Sequence, residues 1–193
     1  MVCVVSSDTY LDPTAGEPSV IRGIAAGLKQ DTAEKTLVAI HTYLDGSMRM
    51  IEPAPWDHPS RRRTTSVEIL RNGAWGCSAH AQVACHLARA CGIPAILAKS
   101  LYVDWIKYGN QGDGRGRGHV YVEVLMAGKR CLWDAQGGEL HEDYDPKSGL
   151  VPGGAQRIYD KGGPDALVLS HHGNEWEAET KRLFPKAETH GVK

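Results

Sequence analysis

The order of patterns along the chain predicts an α+β fold. Helix-period apolar spacing with capping residues runs from about 19 to 92. Strand-like runs follow from about 95 to 170, two of them joined at Ala127-Gly128 as a hairpin. Helices first and strands afterwards predict elements segregated in the fold rather than alternating βαβ units.

A chain of 193 residues, 41% hydrophobic and 23% charged, fits one domain over 1–193 that buries its core without a metal or disulfide staple. The net charge of −1 gives no global electrostatic case for binding nucleic acid or an anionic membrane. No run of apolar residues is long enough to span a bilayer. The first ten residues carry no basic segment and too short an apolar run for a signal peptide, and the five cysteines are odd in number and sparse. A cytoplasmic protein with reduced thiols is the expectation.

The elements follow in order. Residues 11–19 are turn chemistry, and a first helix covers about 19–29. In the second helix Asp31 is the expected N-cap, with Glu34 completing a capping box; Ala33, Leu37, Ile40 and Leu44 share a face, and Asp45-Gly46 is the expected stop. Residues 52–63, with three prolines and Arg61-Arg62-Arg63, read as a solvated connection. A short helix over 64–71 opens at Thr64 or Thr65, with Glu68 in its first turns, and ends at Asn72-Gly73. The next helix, about 77–91, buries Ala81, Ala84, Ala88 and Cys91 on one side and Val83, Leu87 and Ala90 on another; Gly92-Ile93-Pro94 stops it. Ala95–Val103 reads as a strand. Residues 109–118, half glycine, read as a mobile loop gating access to Cys77. His119–Met126 and Lys129–Asp134 form the hairpin. Arg157–Tyr159 and Leu167–Leu169 are candidate short strands, and 174–184 a terminal helix.

Three residues carry the chemistry. Cys77 follows a glycine at a helix start, where unpaired N–H groups favour a thiolate. His119 opens one hairpin strand and Asp134 closes the other. If Ala127 and Gly128 are the two central turn residues, His119 faces Gln136, Tyr121 faces Asp134, and His119 and Asp134 are diagonal neighbours on one face. A three-residue turn puts them on opposite faces. Cysteine on a helix, then histidine and aspartate on adjacent strands, is the papain-type arrangement.

His80, one turn after Cys77, is the rival base; it either lines the site or is exposed. Cys77, His80, Cys85, His86 and Cys91 do not share one helix face, which argues against a single tetrahedral metal site. His171-His172 reads as part of a polar turn and matches no metalloprotease motif. The Arg115-Gly116-Arg117 stretch lacks the ending of a phosphate-binding loop. Cys85, Cys91 and Cys131 fall in apolar patterns and are expected as packing groups. The Cys77 N–H is one oxyanion donor, and Asn72, Trp56 and Trp75 are candidates for the other.

The stretches Trp75-Gly76-Cys77-Ser78-Ala79-His80-Ala81-Gln82, Leu87 to Ala95, His119 to Val124 and Gly128 to Ala135 resemble the core motif of the transglutaminase-like superfamily. The separations of 42 residues from Cys77 to His119 and 15 from His119 to Asp134 fit that family. The resemblance is strong over about 64–136, weaker over 20–63, and does not reach the C-terminal part. It implies a papain-like core, with the nucleophile helix packed on a small antiparallel sheet, and Cys77 as nucleophile, His119 as base and Asp134 as orienting acid. The implied activity is acyl transfer or hydrolysis at a glutamine side chain or peptide bond of a protein or peptide, with no metal or organic cofactor. A peptide N-glycanase-like amidase and a non-catalytic interaction domain that keeps the fold are the alternatives. Ile96 stands where the family often has arginine, a change expected to affect packing.

Overall fold

The computed structural model describes residues 19–49, 65–74, 76–103, 118–151 and 166–171. The expected turn at 11–18, connection at 52–63, loop at 109–117, strand at 157–159 and helix at 174–184 lie outside these residues. Among the described residues four helices come first: α1 (Ser19–Leu28), α2 (Ala33–Ser47), α3 (Ser66–Asn72) and α4 (Gly76–Ala90). Six described strands follow: β1 (Ala95–Tyr102), β2 (Gly118–Met126), β3 (Lys129–Asp134), β4 (Glu139–His141), β5 (Leu150–Val151) and β6 (Ala166–His171). They form one sheet in the order β4-β3-β2-β1-β6-β5, with neighbours antiparallel.

Local chemistry explains the boundaries. The α2 N-cap is Thr32, not Asp31: its side chain accepts from Lys35 N at 3.2 Å, while Asp31 pairs with Lys35 Nζ at the exposed surface. The helix also runs past Asp45-Gly46 to Ser47. Leu37, Ile40 and Leu44 are buried, Ala33 is only partly so, and Thr36 is buried with its hydroxyl bonded to Gln30 N and Thr32 O. At α3, Thr65 and Glu68 form a reciprocal capping box. The end of α4 is a Schellman motif: Gly92, at φ +89°, donates to Arg89 O and Ile93 donates to Ala88 O. Ala90, expected to be buried, is exposed.

The hairpin has the two-residue turn. Ala127 and Gly128 take φ +48° and +79°, as a type I′ turn requires. Met126 pairs with Lys129 and Val122 with Trp133. That register sends Val120, Val122, Val124, Met126, Cys131 and Trp133 into the core shared with the helices. The alternate residues, including Tyr121 and Leu132, face the other side, where Ala98, Tyr102, Tyr144 and Val151 form a second cluster. Ile96 is fully buried opposite Glu123, in keeping with a packing role. Gly118, read as the last loop residue, is the first residue of β2 and pairs with Leu101. No helix among the described residues is long and apolar enough to cross a membrane.

Candidate active site

Cys77 is the second residue of α4, preceded by Gly76 at φ +51°. Gly76 and Ser78 are exposed and Cys77 between them is half-buried, at the start of the helix. The other described cysteines differ. Cys85, Cys91 and Cys131 are at most 4% exposed, as expected of packing groups. Burial pushes the Cys85 thiol up to about 11 against the opposing charge of Arg89.

The start of α4 meets the start of β2. Burial pushes the Cys77 thiol up, but hydrogen bonding and charge attraction from His119, with the backbone of Val120 and the Ser78 side chain, outweigh it and leave the thiol below its ordinary value. On the other side of the imidazole, His119 Nε2 lies 2.9 Å from Asp134 Oδ1, with both side chains about 2% exposed. The oxygen sits off the ideal N–H direction, so charge attraction is the firmer part of this contact. With Nε2 turned to Asp134, Nδ1 is the nitrogen left for Cys77. Burial opposes a charged His119, yet Asp134 and Cys77 together push it up to about 9. Burial likewise raises Asp134, and His119 with the N–H groups of Gly137 and Gln136 brings it below its ordinary value.

Asp134 is therefore both a turn former and the partner of His119. Its Oδ1 accepts from Gln136 N at 3.1 Å and Gly137 N at 3.0 Å, and its carbonyl accepts from Gly138 N at 2.7 Å. The His119 backbone has its own hold. Ser100 Oγ donates to His119 O at 3.1 Å, next to a register shift between Lys99 and Ser100 in the β1–β6 pairing. A Cβ on Gly118 would lie 2.0 Å from Ser100 O, so only glycine lets the two strands approach here.

His80 is 5% exposed, not at the surface. Burial lowers it to about 4, and His41 and His119 add to the effect against Asp134 and Asp45. It is neutral at physiological pH. The Tyr121 ring packs edge-on against His119 at 4.7 Å and against His141 at 5.8 Å. The alternation of β2 places Tyr121 beside His119, but no sequence signal points to His141 or to His41, which contacts the turn after Asp134. Asn72 is exposed at the end of α3, and Trp56 and Trp75 lie outside the described residues. No group of three or more histidine, cysteine or acidic side chains among the described residues is arranged to hold a metal ion.

A family model described as the transglutaminase-like superfamily matches residues 18–135, more than half of the chain. Among solved structures, the chain is similar to a protein from Cytophaga hutchinsonii provisionally assigned as a cysteine protease, with 17% identity and a TM-score of 0.51. That likeness covers 70% of this chain and 44% of the other, so the chain spans less than half of that protein. It is also similar to Legionella pneumophila LapG, with 10% identity and a TM-score of 0.48, over 93% of this chain and 98% of the other. No curated protein matches. The helices packed on an antiparallel sheet are the papain-like α+β core expected from the motif.

Proposed function

The chain belongs to the transglutaminase-like superfamily, and we propose that it is a cysteine-dependent enzyme that cleaves an amide through a thioester. Cys77 acts as nucleophile, His119 as acid and base, and Asp134 as the group that orients His119. The observation that carries this reading is the buried His119–Asp134 contact of 2.9 Å with the Cys77 thiol on the other side of the same imidazole.

The chemistry follows from the charges. A thiol held below its ordinary value beside an imidazole held at about 9 favours a thiolate–imidazolium pair over the neutral thiol and imidazole. The thiolate attacks the amide carbon and forms a C–S bond. Negative charge develops on the amide oxygen, where the N–H of Cys77 at the helix start is an oxyanion donor. As the C–N bond breaks, His119 gives its proton to the leaving amine. Neutral His119 then takes a proton from water or from an incoming lysine amine, whose attack on the thioester releases Cys77. Water makes the protein a peptidase or deamidase, and lysine makes it a crosslinker. Asp134 stays ionised throughout and fixes which nitrogen of His119 faces the thiol.

The test is mass spectrometry of a cell extract incubated with the protein and a primary-amine tag. Glutamine tagging, deamidation or new peptide ends that vanish with Cys77→Ala support the proposal and identify the acceptor. Cys77→Ala should lower turnover by a factor on the order of 10⁶, as loss of a nucleophile does. Products that survive Cys77→Ala would overturn it.

A further inference from the structure

We propose that His41 is a positioning residue for Asp134: it ties the turn that carries the carboxylate to the helices that carry the thiol. The proposal rests on the reading of Cys77, His119 and Asp134 as the reacting groups.

The conformation of Asp134 is inseparable from the turn over 135–138. Its carboxylate accepts two N–H groups of that turn and its carbonyl a third. Anything that shifts the turn therefore shifts the oxygen that faces His119. His41 on α2 meets the turn at both ends of its ring. Its Nδ1 lies 3.0 Å from Ala135 O, a contact spanning 94 residues of sequence. A carbonyl only accepts, so Nδ1 carries the proton and donates. At the opposite end the ring occupies the space that a side chain at 138 would need. A Cβ on Gly138 would lie 2.6 Å from Nε2, 2.7 Å from Cδ2 and 3.0 Å from Cε1. Gly138 also takes φ +74°, which disfavours any other residue. The ring is thus hydrogen-bonded at one end and close-packed at the other.

These contacts close a circuit. α2 packs on α4, which carries Cys77. From α2, His41 reaches Ala135 and Gly138; the turn holds Asp134; Asp134 holds His119; and His119 faces Cys77. His41 touches none of the reacting groups of this proposal. It fixes where the sheet side of the site stands relative to the helix side. A displacement of about 1 Å in such a constellation lowers rate by about 10²-fold, so one distant hydrogen bond has leverage.

The experiment uses the full chain and follows alkylation of Cys77 by iodoacetamide against pH, read site by site from peptide masses. Three variants are compared with wild type: His41→Leu, which keeps bulk and removes the donor; His41→Asn, which keeps an N–H near the Nδ1 position; and Asp134→Asn as reference. In His41→Leu the pH at which Cys77 becomes reactive should rise, with about tenfold slower labelling at a fixed mildly acidic pH for each unit of rise. In His41→Asn it should return towards wild type, a rescue that a purely packing role would not give. If Asp134→Asn moves the inflection and His41→Leu does not, the positioning role is overturned while the site reading stands. If Asp134→Asn moves nothing, the site reading fails and the proposal falls with it. Should His41→Leu not fold, Gly138→Ala crowds the same ring from the other side and must raise the inflection; an unchanged inflection overturns the proposal.

Discussion

Val120, Val122 and Val124 leave β2 into the core shared with the helices, whereas His119, Tyr121 and Glu123 alternate with them, His119 at the strand's start where it meets Cys77 of α4, and all six are more than nine-tenths buried. The same strand therefore builds an apolar core with one set of side chains and, with the other, an interior where buried polar groups sit beside a second apolar cluster. On the polar side each charged group has a partner. His119 meets Asp134 at 2.9 Å. Glu123 accepts from Tyr144 Oη at 3.0 Å and lies 3.6 Å from Arg130. Burial weakens the competition from water, so these contacts act more strongly than at a surface, and an unpaired member would be correspondingly costly. Equal burial thus says little about role; the partner of the buried group says more.

Substitutions on the two sides should separate activity from stability. The largest effect is expected on the polar side: His119→Ala should lower kcat/KM by roughly 10² to 10⁴, the range for loss of a general base. His80→Ala, which removes a neutral imidazole, should cost less than tenfold. Equal losses would contradict the roles assigned to the two. On the apolar side, Trp133→Ala should destabilise the fold by about 3–5 kcal/mol in a urea titration, with labelling of Cys77 retained in the folded fraction. Where the two sides meet, Gly118→Ala sets a methyl against the Ser100 carbonyl and should push His119 off line. A loss of up to about 10² in kcat/KM with a small change in unfolding midpoint is expected. A variant with wild-type turnover would show that the strand absorbs the added methyl without moving the imidazole.

Much of this was legible because it depends on neighbours close in sequence. A two-residue turn at Ala127-Gly128 fixes the register, and the register fixes which strand residues share a face with His119. Gly92-Ile93 at the end of α4 is equally local. Asp31 and Thr32 are both good capping residues, and which of them caps α2 depends on which side chain reaches Lys35 N. Short strands β4 and β5 carry too few residues for an alternation pattern. Gly118 was hidden in a glycine-rich run, although its role is set by a carbonyl on β1. The contact of His41 with Ala135 spans 94 residues, and nothing around position 41 announces it.

The central claim is that Asp134, through His119, keeps Cys77 in its reactive form. The most direct measurement is the pH dependence of Cys77 alkylation in wild type and Asp134→Asn. His119 is held at about 9, so it stays protonated through the neutral range and lowers the Cys77 thiol beside it. Wild-type Cys77 should therefore label as a thiolate below the ordinary thiol value of about 8.5. Removing the Asp134 charge takes away a principal support of the imidazolium, so the inflection should move up towards that ordinary value and labelling at mildly acidic pH should fall. An inflection already near 8.5 in wild type, or one unmoved by Asp134→Asn, would contradict the account.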